Sequence, residues 1–456
     1  MTKAEFKRAL RCGLGRCIVE LRDTKEPEKY YDLVIWACTH DFAFDAQCEG
    51  TRAWYAWQLV KCYADAAPFV DTAASKFLSL RSNGGWTFAH CCDLLSLFAR
   101  DGNTKASDSL REKYHLLYDR LLKRRKRPSP LYHELGDFEM LCMQLCHKDT
   151  AYFLSIAEDI GNLFLHNKCY DGFDFLQLQE YVQDVNGHQR VTKALENAAQ
   201  KSPALHAYLK EYRCCTSQWD ANSTSYATLP LPDETALFTS SHVNAAHIYA
   251  RYLRRGGEGA CEKLAKAALA ENNPERKAEM LHAFVLGRKR NPWPLNPAPL
   301  ILLAKTADET LSSVALTVLE GIRHDQVRQY ALELLEDPGQ KEAGIALLAR
   351  NYRACDRELF VRTVRSLPID YNETSGWHGV FLSVLELLEE RPKENVPNEL
   401  LPYIHSRSLC SCCRERALHL LARKHLVKAP MWEECRYDSR EEIRTYAGKH
   451  LKKQPR

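Results

Sequence analysis

The densest gathering of chemistry-capable side chains lies between Trp36 and Trp57. It holds Trp36, His40, Asp41, Asp45, Glu49, Arg52, Trp54 and Trp57. A second knot comes at Trp86, His90 and Asp93. Carboxylates beside an imidazole can move protons on a substrate, and indoles can stack on bases. The same residues also suit structural tasks. Asp41 and Asp45 fall where one helix should end and another begin, where a carboxylate caps free N–H groups. Trp54 and Trp57 are three residues apart and share a helix face, as core or seam residues do.

Thiols form the next class. Cys410, Cys412 and Cys413 cluster with His405 nearby, a composition that invites zinc. No second cysteine pair stands at the spacing of a structural zinc site. Cys410, Cys413, Ala417, Leu420 and Leu421 also form one apolar stripe, so packing accounts for two of the three thiols. Cys142 and Cys146 lie four apart beside His147, but Phe138, Leu141 and Leu145 surround them as core residues would. The pairs Cys91-Cys92 and Cys214-Cys215 carry a weaker signal. The expectation is no metal and no cofactor.

Basic runs are the third class. Lys123, Arg124, Arg125, Lys126 and Arg127 stand in succession before Pro128, and Arg254-Arg255 and Arg288-Lys289-Arg290 are smaller clusters. Such runs can hold the phosphates of a nucleic acid. They also suit helix C-termini, where cations meet the negative end of the dipole. Phosphate-loop, nucleophile-elbow and His-Glu-x-x-His signatures are missing. Gly13-Leu14-Gly15 has no strand before it, so it is not a dinucleotide fingerprint.

The elements that must position these groups are helices. Hairpin-turn and alternating strand signals are scarce, whereas helical spacing recurs. Leu110, Tyr114, Leu117 and Leu121 space as one helix face, as do Leu311, Val314, Val318 and Ile322. Proline and polar punctuation divides the 456 residues. Residues 1–127 form an N-terminal helical region and 131–215 a second, possible continuation of it. Residues 216–234 read as a linker rich in Ser, Thr, Asn and Pro, and 235–456 as a third helical stretch with a loop at Asn291-Pro292-Trp293-Pro294. With 63 Lys+Arg against 59 Asp+Glu, the net charge of +4 gives no global drive toward nucleic acid. Met1 to Arg8 is charged where a secretion signal is apolar, and no run is long enough to span a membrane. Scattered cysteines then suggest reduced thiols and a cytoplasmic protein without membrane attachment.

The third stretch repeats a short pattern: a small or β-branched residue, Arg, two variable residues, Ala. It occurs at Val327-Arg328 with Ala331, Cys413-Arg414 with Ala417, and Ile443-Arg444 with Ala447. The first residue and the Ala share a helix face, and the small Ala admits a close neighbour. The Arg turns from that seam toward an acid or a carbonyl, and Asp325 and Asp438 stand where they can cap. This pattern resembles HEAT repeats of the short bacterial kind. Arg328 and Arg414 are roughly two 40-residue periods apart. No copy stands near Asp370 to Ser375, where an intermediate one is expected, and Arg414 to Arg444 is shorter than a period. The resemblance implies an all-α fold, a right-handed α-α superhelix or HEAT-like (armadillo-like) solenoid behind a helical N-terminal region. It further implies a non-catalytic interaction scaffold that binds a protein partner. A nucleic-acid-binding protein akin to HEAT-like DNA glycosylases is the alternative, with Trp54, Trp57, Trp86 and Asp93 as its set. A metal-dependent enzyme using the thiol and histidine clusters is the third.

Overall fold

The computed structural model describes the chain except residues 82–84, 125–132, 167–169, 171–174, 223–236, 238–245, 258, 288–289, 370–374, 392–394 and 453–456. The fold is all-α, and no strand occurs among the described residues. No described helix is long and apolar enough to cross a membrane. The helices fall into two compact units, residues 1–224 with 428–456, and residues 225–427.

The first unit opens with α1 (Lys3–Cys12), α2 (Arg16–Asp23), a 3-10 turn (Pro27–Tyr30), α3 (Tyr31–Thr39), α4 (Ala46–Glu49), α5 (Ala53–Val60) and α6 (Ala67–Ser79). It continues through α7 (Gly85–Arg100), α8 (Thr104–Lys123), α9 (His133–Leu145), α10 (Thr150–His166), α11 (Leu176–Asn186), α12 (His188–Ala199) and α13 (Pro203–Asn222). Helix α13 therefore continues past residue 216, where a linker was expected; residues 223–234 of that linker lie outside the described residues.

The second unit holds α14 (Ala246–Arg255), α15 (Ala260–Ala270), α16 (Pro274–His282), α17 (Ala298–Ala304), α18 (Glu309–Leu319) and α19 (Asp325–Glu336). Then come α20 (Lys341–Arg350), α21 (Arg357–Ser366), α22 (Ser375–Glu390), α23 (Leu400–Arg407) and α24 (Ser411–Arg423). The last two helices, α25 (Ala429–Cys435) and α26 (Glu441–Leu451), belong to the first unit. The sequence pattern had grouped them with the third stretch.

Local chemistry explains these elements. Asn103 accepts from Ala106 N at 2.9 Å and starts α8, whose Leu110, Tyr114, Leu117 and Leu121 are all buried. Asp308 accepts from Leu311 N at 3.0 Å and starts α18. Its buried face is Leu311, Ala315, Val318 and Leu319; Val314 is half-buried and Ile322 lies beyond the helix end. The expected loop at Asn291 to Pro294 is present, pinned by Asn291 N to Phe284 O at 2.9 Å.

The six apolar positions of the repeat pattern, Val327, Ala331, Cys413, Ala417, Ile443 and Ala447, are all completely buried. Their arginines reach carbonyls or an acid. Arg414 donates to Ser408 O at 3.3 Å and Leu409 O at 3.1 Å. Arg444 donates to Asp438 O at 2.9 Å and Ser439 O at 2.7 Å. Both span back five and six residues, tying the entering loop to the first turn of the helix. Arg328 differs and clasps the Asp356 carboxylate through Nε and Nη2. Asp438 does not cap α26, whose N-cap is Arg440; its carboxylate accepts from Arg440 N at 2.9 Å in the loop before the helix. Nor does Asp325 cap; His324 caps α19, and Asp325 pairs with Arg353. The position of the missing copy, 370–374, lies outside the described residues.

Candidate functional site

The Trp36–Asp93 residues are contributed by α3, the loop after it, α4, α5 and α7. Helix α3 ends at Thr39, and two aspartates shape the loop and the short helix beyond it. Asp41 accepts from Ala43 N at 3.2 Å, and Asp45 caps α4 by accepting from Gln47 N at 3.0 Å and Cys48 N at 3.3 Å. Burial, opposed by the Ala43 N–H, raises the Asp41 pKa above the usual carboxylate value. Trp36 stacks on His40 with ring centroids 5.5 Å apart, and Arg11 lies over the Trp36 ring.

Glu49 and Arg52 form an ion pair at 3.2 Å, with side chains only 3% and 2% exposed. Arg52 also donates to the Arg11 carbonyl and lies over the ring of Phe42. Asp93 accepts from Thr51 Oγ1 and, at 2.9 Å, from Gln144 Nε2. Burial raises its pKa, with the Thr51 hydroxyl opposing. Trp54 carries Arg444 at 3.6 Å from its ring centre, and Trp57 carries Lys61 while its N–H donates to Asp101 at 3.0 Å. Trp86 is half exposed. The structure thus brings Arg52, Glu49, Phe42 and Trp36 into one packed chain of contacts, links Asp93 to Thr51, and sets Trp86 at the surface.

His90 completes this region from α7. Its Nε2–H donates to Ala37 O at 2.8 Å within a fully buried setting. Burial pulls its pKa down to about 4, so the folded protein holds the imidazole neutral. The unfolded chain takes up this proton near pH 6.5. The stabilisation is therefore complete above about pH 6.5 and is lost as pH falls toward 4, by about 3 kcal/mol in all. We expect His90→Gln to flatten this acid limb when melting is followed from pH 7 to 4.5; parallel curves for the two proteins would refute the assignment.

The basic runs close helices where they are described. Lys123 is the last residue of α8 and Arg124 its C-cap; Arg254 and Arg255 end α14. Arg290 reaches the end of another helix, α18, donating to Thr317 O and Glu320 Oε2, both at 2.8 Å. Arg125, Lys126, Arg127, Arg288 and Lys289 lie outside the described residues. A surface cleft of about 650 Å³ lies between α10 and α13, lined by Leu165, Lys201, Ser202, His206 and Lys210 among others. None of the candidate residues lines it.

The thiols divide sharply. Cys142, Cys146, Cys91 and Cys92 are buried core residues. Cys410 and Cys413 are buried too, but they meet a histidine the spacing had not singled out. His378 of α22 joins them, with ligand atoms of all three within 4.8 Å of one another. His405, the sequence neighbour, is not part of this group. The Cys413 pKa is lowered, first by a hydrogen bond from Cys410 and then by Arg416, against the opposing effect of burial. A histidine 35 residues away on another helix leaves no spacing signal; only the packing of α22 on α24 brings it there.

The chain matches no protein-family model, and no curated protein matches it.

Proposed function

We propose that the chain is a HEAT-like helical-repeat protein that serves as a non-catalytic scaffold, binding a protein partner on its stacked helices. The observation that carries this proposal is the twice-used helix-entry device: Arg414 and Arg444 reach back to carbonyls five and six residues upstream, beside seam pairs that are fully buried. Alternate helices also touch in the second unit, α16 with α18, α20 with α22 and α22 with α24, as units that cannot bury their apolar faces alone must do. Binding to an extended surface is the common use of such arrays, an inference by analogy of fold. The described cysteines form no disulfide, which suits a reducing compartment such as the cytoplasm.

The test is capture by the tagged full chain from extract of its source, run in parallel without and with nuclease. The expected result is one protein retained at fixed ratio through size exclusion, with Kd of about 1 μM or tighter. A chain that elutes alone removes the proposal. A complex that nuclease destroys transfers the assignment to nucleic acid, whose binding should also weaken steeply with salt.

A further inference from the structure

We propose that Cys410, Cys413 and His378 form a binding site for one thiophilic divalent cation, zinc foremost. The site goes beyond the scaffold function and does not depend on it. Cys410 is the N-cap of α24 and Cys413 stands three residues later in its first turn, so both sulfurs gather at one helix end. His378 approaches from α22, which packs on α24. All three donor atoms lie within 4.8 Å of one another. The distance from His378 Nδ1 to Cys413 Sγ is 3.5 Å. Zinc bonds of roughly 2.3 Å to sulfur and 2.0–2.1 Å to nitrogen, at a tetrahedral angle, put the two donors about 3.6 Å apart. That separation therefore needs almost no rearrangement to accept the ion.

Donor chemistry selects the ion. Two thiolates and an imidazole favour zinc and disfavour magnesium or calcium, which take oxygen ligands. On binding, the two thiols release their protons to the buffer and the neutral imidazole donates a lone pair. The two thiolate charges then balance the dication, so a buried site remains neutral. Three protein donors leave the fourth tetrahedral position to a water molecule, the composition of an open site.

The surroundings hold the donors in place. Arg414 is fully buried, and its bonds to Ser408 O and Leu409 O fix the two residues that lead into Cys410. Ligand orientation by such outer groups is a regular part of metal sites. Arg416 is held by Glu389 at 3.1 and 2.8 Å, so its charge is matched by a carboxylate. The other repeat copies place Val327 and Ile443 where Cys413 stands, so a thiol is not what the seam requires.

Full-length protein purified without chelator should carry close to one zinc per chain by elemental mass spectrometry. After stripping, it should rebind one equivalent of added Zn²⁺ against a chromophoric competitor. Co²⁺ in its place should give a thiolate-to-metal charge-transfer band. Cys410→Ser with Cys413→Ser should abolish both signals. His378→Gln, milder because His378 is half-buried, should weaken zinc binding by more than the roughly 10–100-fold that loss of an outer-shell partner causes. It decides the matter if the double variant does not fold. Cys412→Ser should bind as the native chain does. The proposal is overturned if the stripped chain takes up no zinc, if His378→Gln binds unchanged, if Cys412→Ser loses the ion, or if the protein isolated without reductant contains a Cys410–Cys413 disulfide and no metal.

Discussion

Gly15→Ala is expected to release the C-terminal helix pair from the start of the chain. Gly15 is the N-cap of α2 in an ordinary right-handed conformation, so the constraint is space and not backbone freedom. A Cβ there would sit deep inside the contact radius of the Glu434 carbonyl oxygen and 2.9 Å from the Tyr437 carbonyl carbon. Both are backbone atoms of α25 and its C-terminal end, and they cannot swing aside as a side chain can. Inserting one carbon into a packed core commonly costs about 1–3 kcal/mol. Here the strain is larger, and separation of α25 from α2 is the available relief. That movement gives up the Arg16–Glu434 ion pair at 2.8 Å, the Ser439 N to Gly13 O bond at 2.8 Å and the Arg444–Trp54 contact. Amide exchange across 429–451 should accelerate at least about 100-fold, equivalent to about 2.7 kcal/mol of local opening. Unchanged exchange in that segment would show that the two ends are not closed against each other as described.

The second large effect is expected at Glu49. Its pairing with Arg52 is shielded on both sides, unlike the surface pairs that contribute little. Removing one partner of a buried pair typically costs about 3–5 kcal/mol, because the other charge stays desolvated. Glu49→Ala should fall near the lower end, about 3 kcal/mol, since Arg52 keeps its bond to the Arg11 carbonyl. Glu49→Gln retains an acceptor oxygen and should cost clearly less. Tryptophan fluorescence suits the measurement, because Trp36, Trp54, Trp57, Trp86 and Trp432 all report on the unit concerned. The urea midpoint should drop by about 1 M or more for Glu49→Ala. If the alanine and glutamine variants melt together within about 0.5 kcal/mol of the native chain, the pair is a surface contact and not a buried one.

Much of the local structure was legible because local chemistry determines it. The capping aspartate Asp45, the helix-closing Lys123 and Arg255, and the seam residues Val327, Ala331, Ile443 and Ala447 all come from spacing within a few residues. Long-range partners were not legible. Gly13 and Gly15 could be denied a nucleotide role, but nothing in one sequence says that Ser439 and the end of α25, more than 400 residues later, occupy the space they leave. His378 was overlooked for the same reason, since its meeting with Cys413 depends on helix packing and not on spacing. The sequence shows the Trp36–Asp93 region as a concentration of polar and aromatic groups. Spacing could not reveal that Glu49 and Arg52 are shielded from solvent, or that Asp93 is bound by Thr51 and Gln144.

The proposed scaffold function requires that the chain act through a repeat surface and not through chemistry at that cluster. Asp93→Asn tests it most directly. The amide can still accept from Thr51, and Gln144 can turn to meet it, so the fold should lose only about 1 kcal/mol. Capture with this variant should recover the same partner at the same ratio as the native chain. Loss of the partner, with melting and circular dichroism unchanged beyond that small cost, would contradict the account and place the functional site at Asp93.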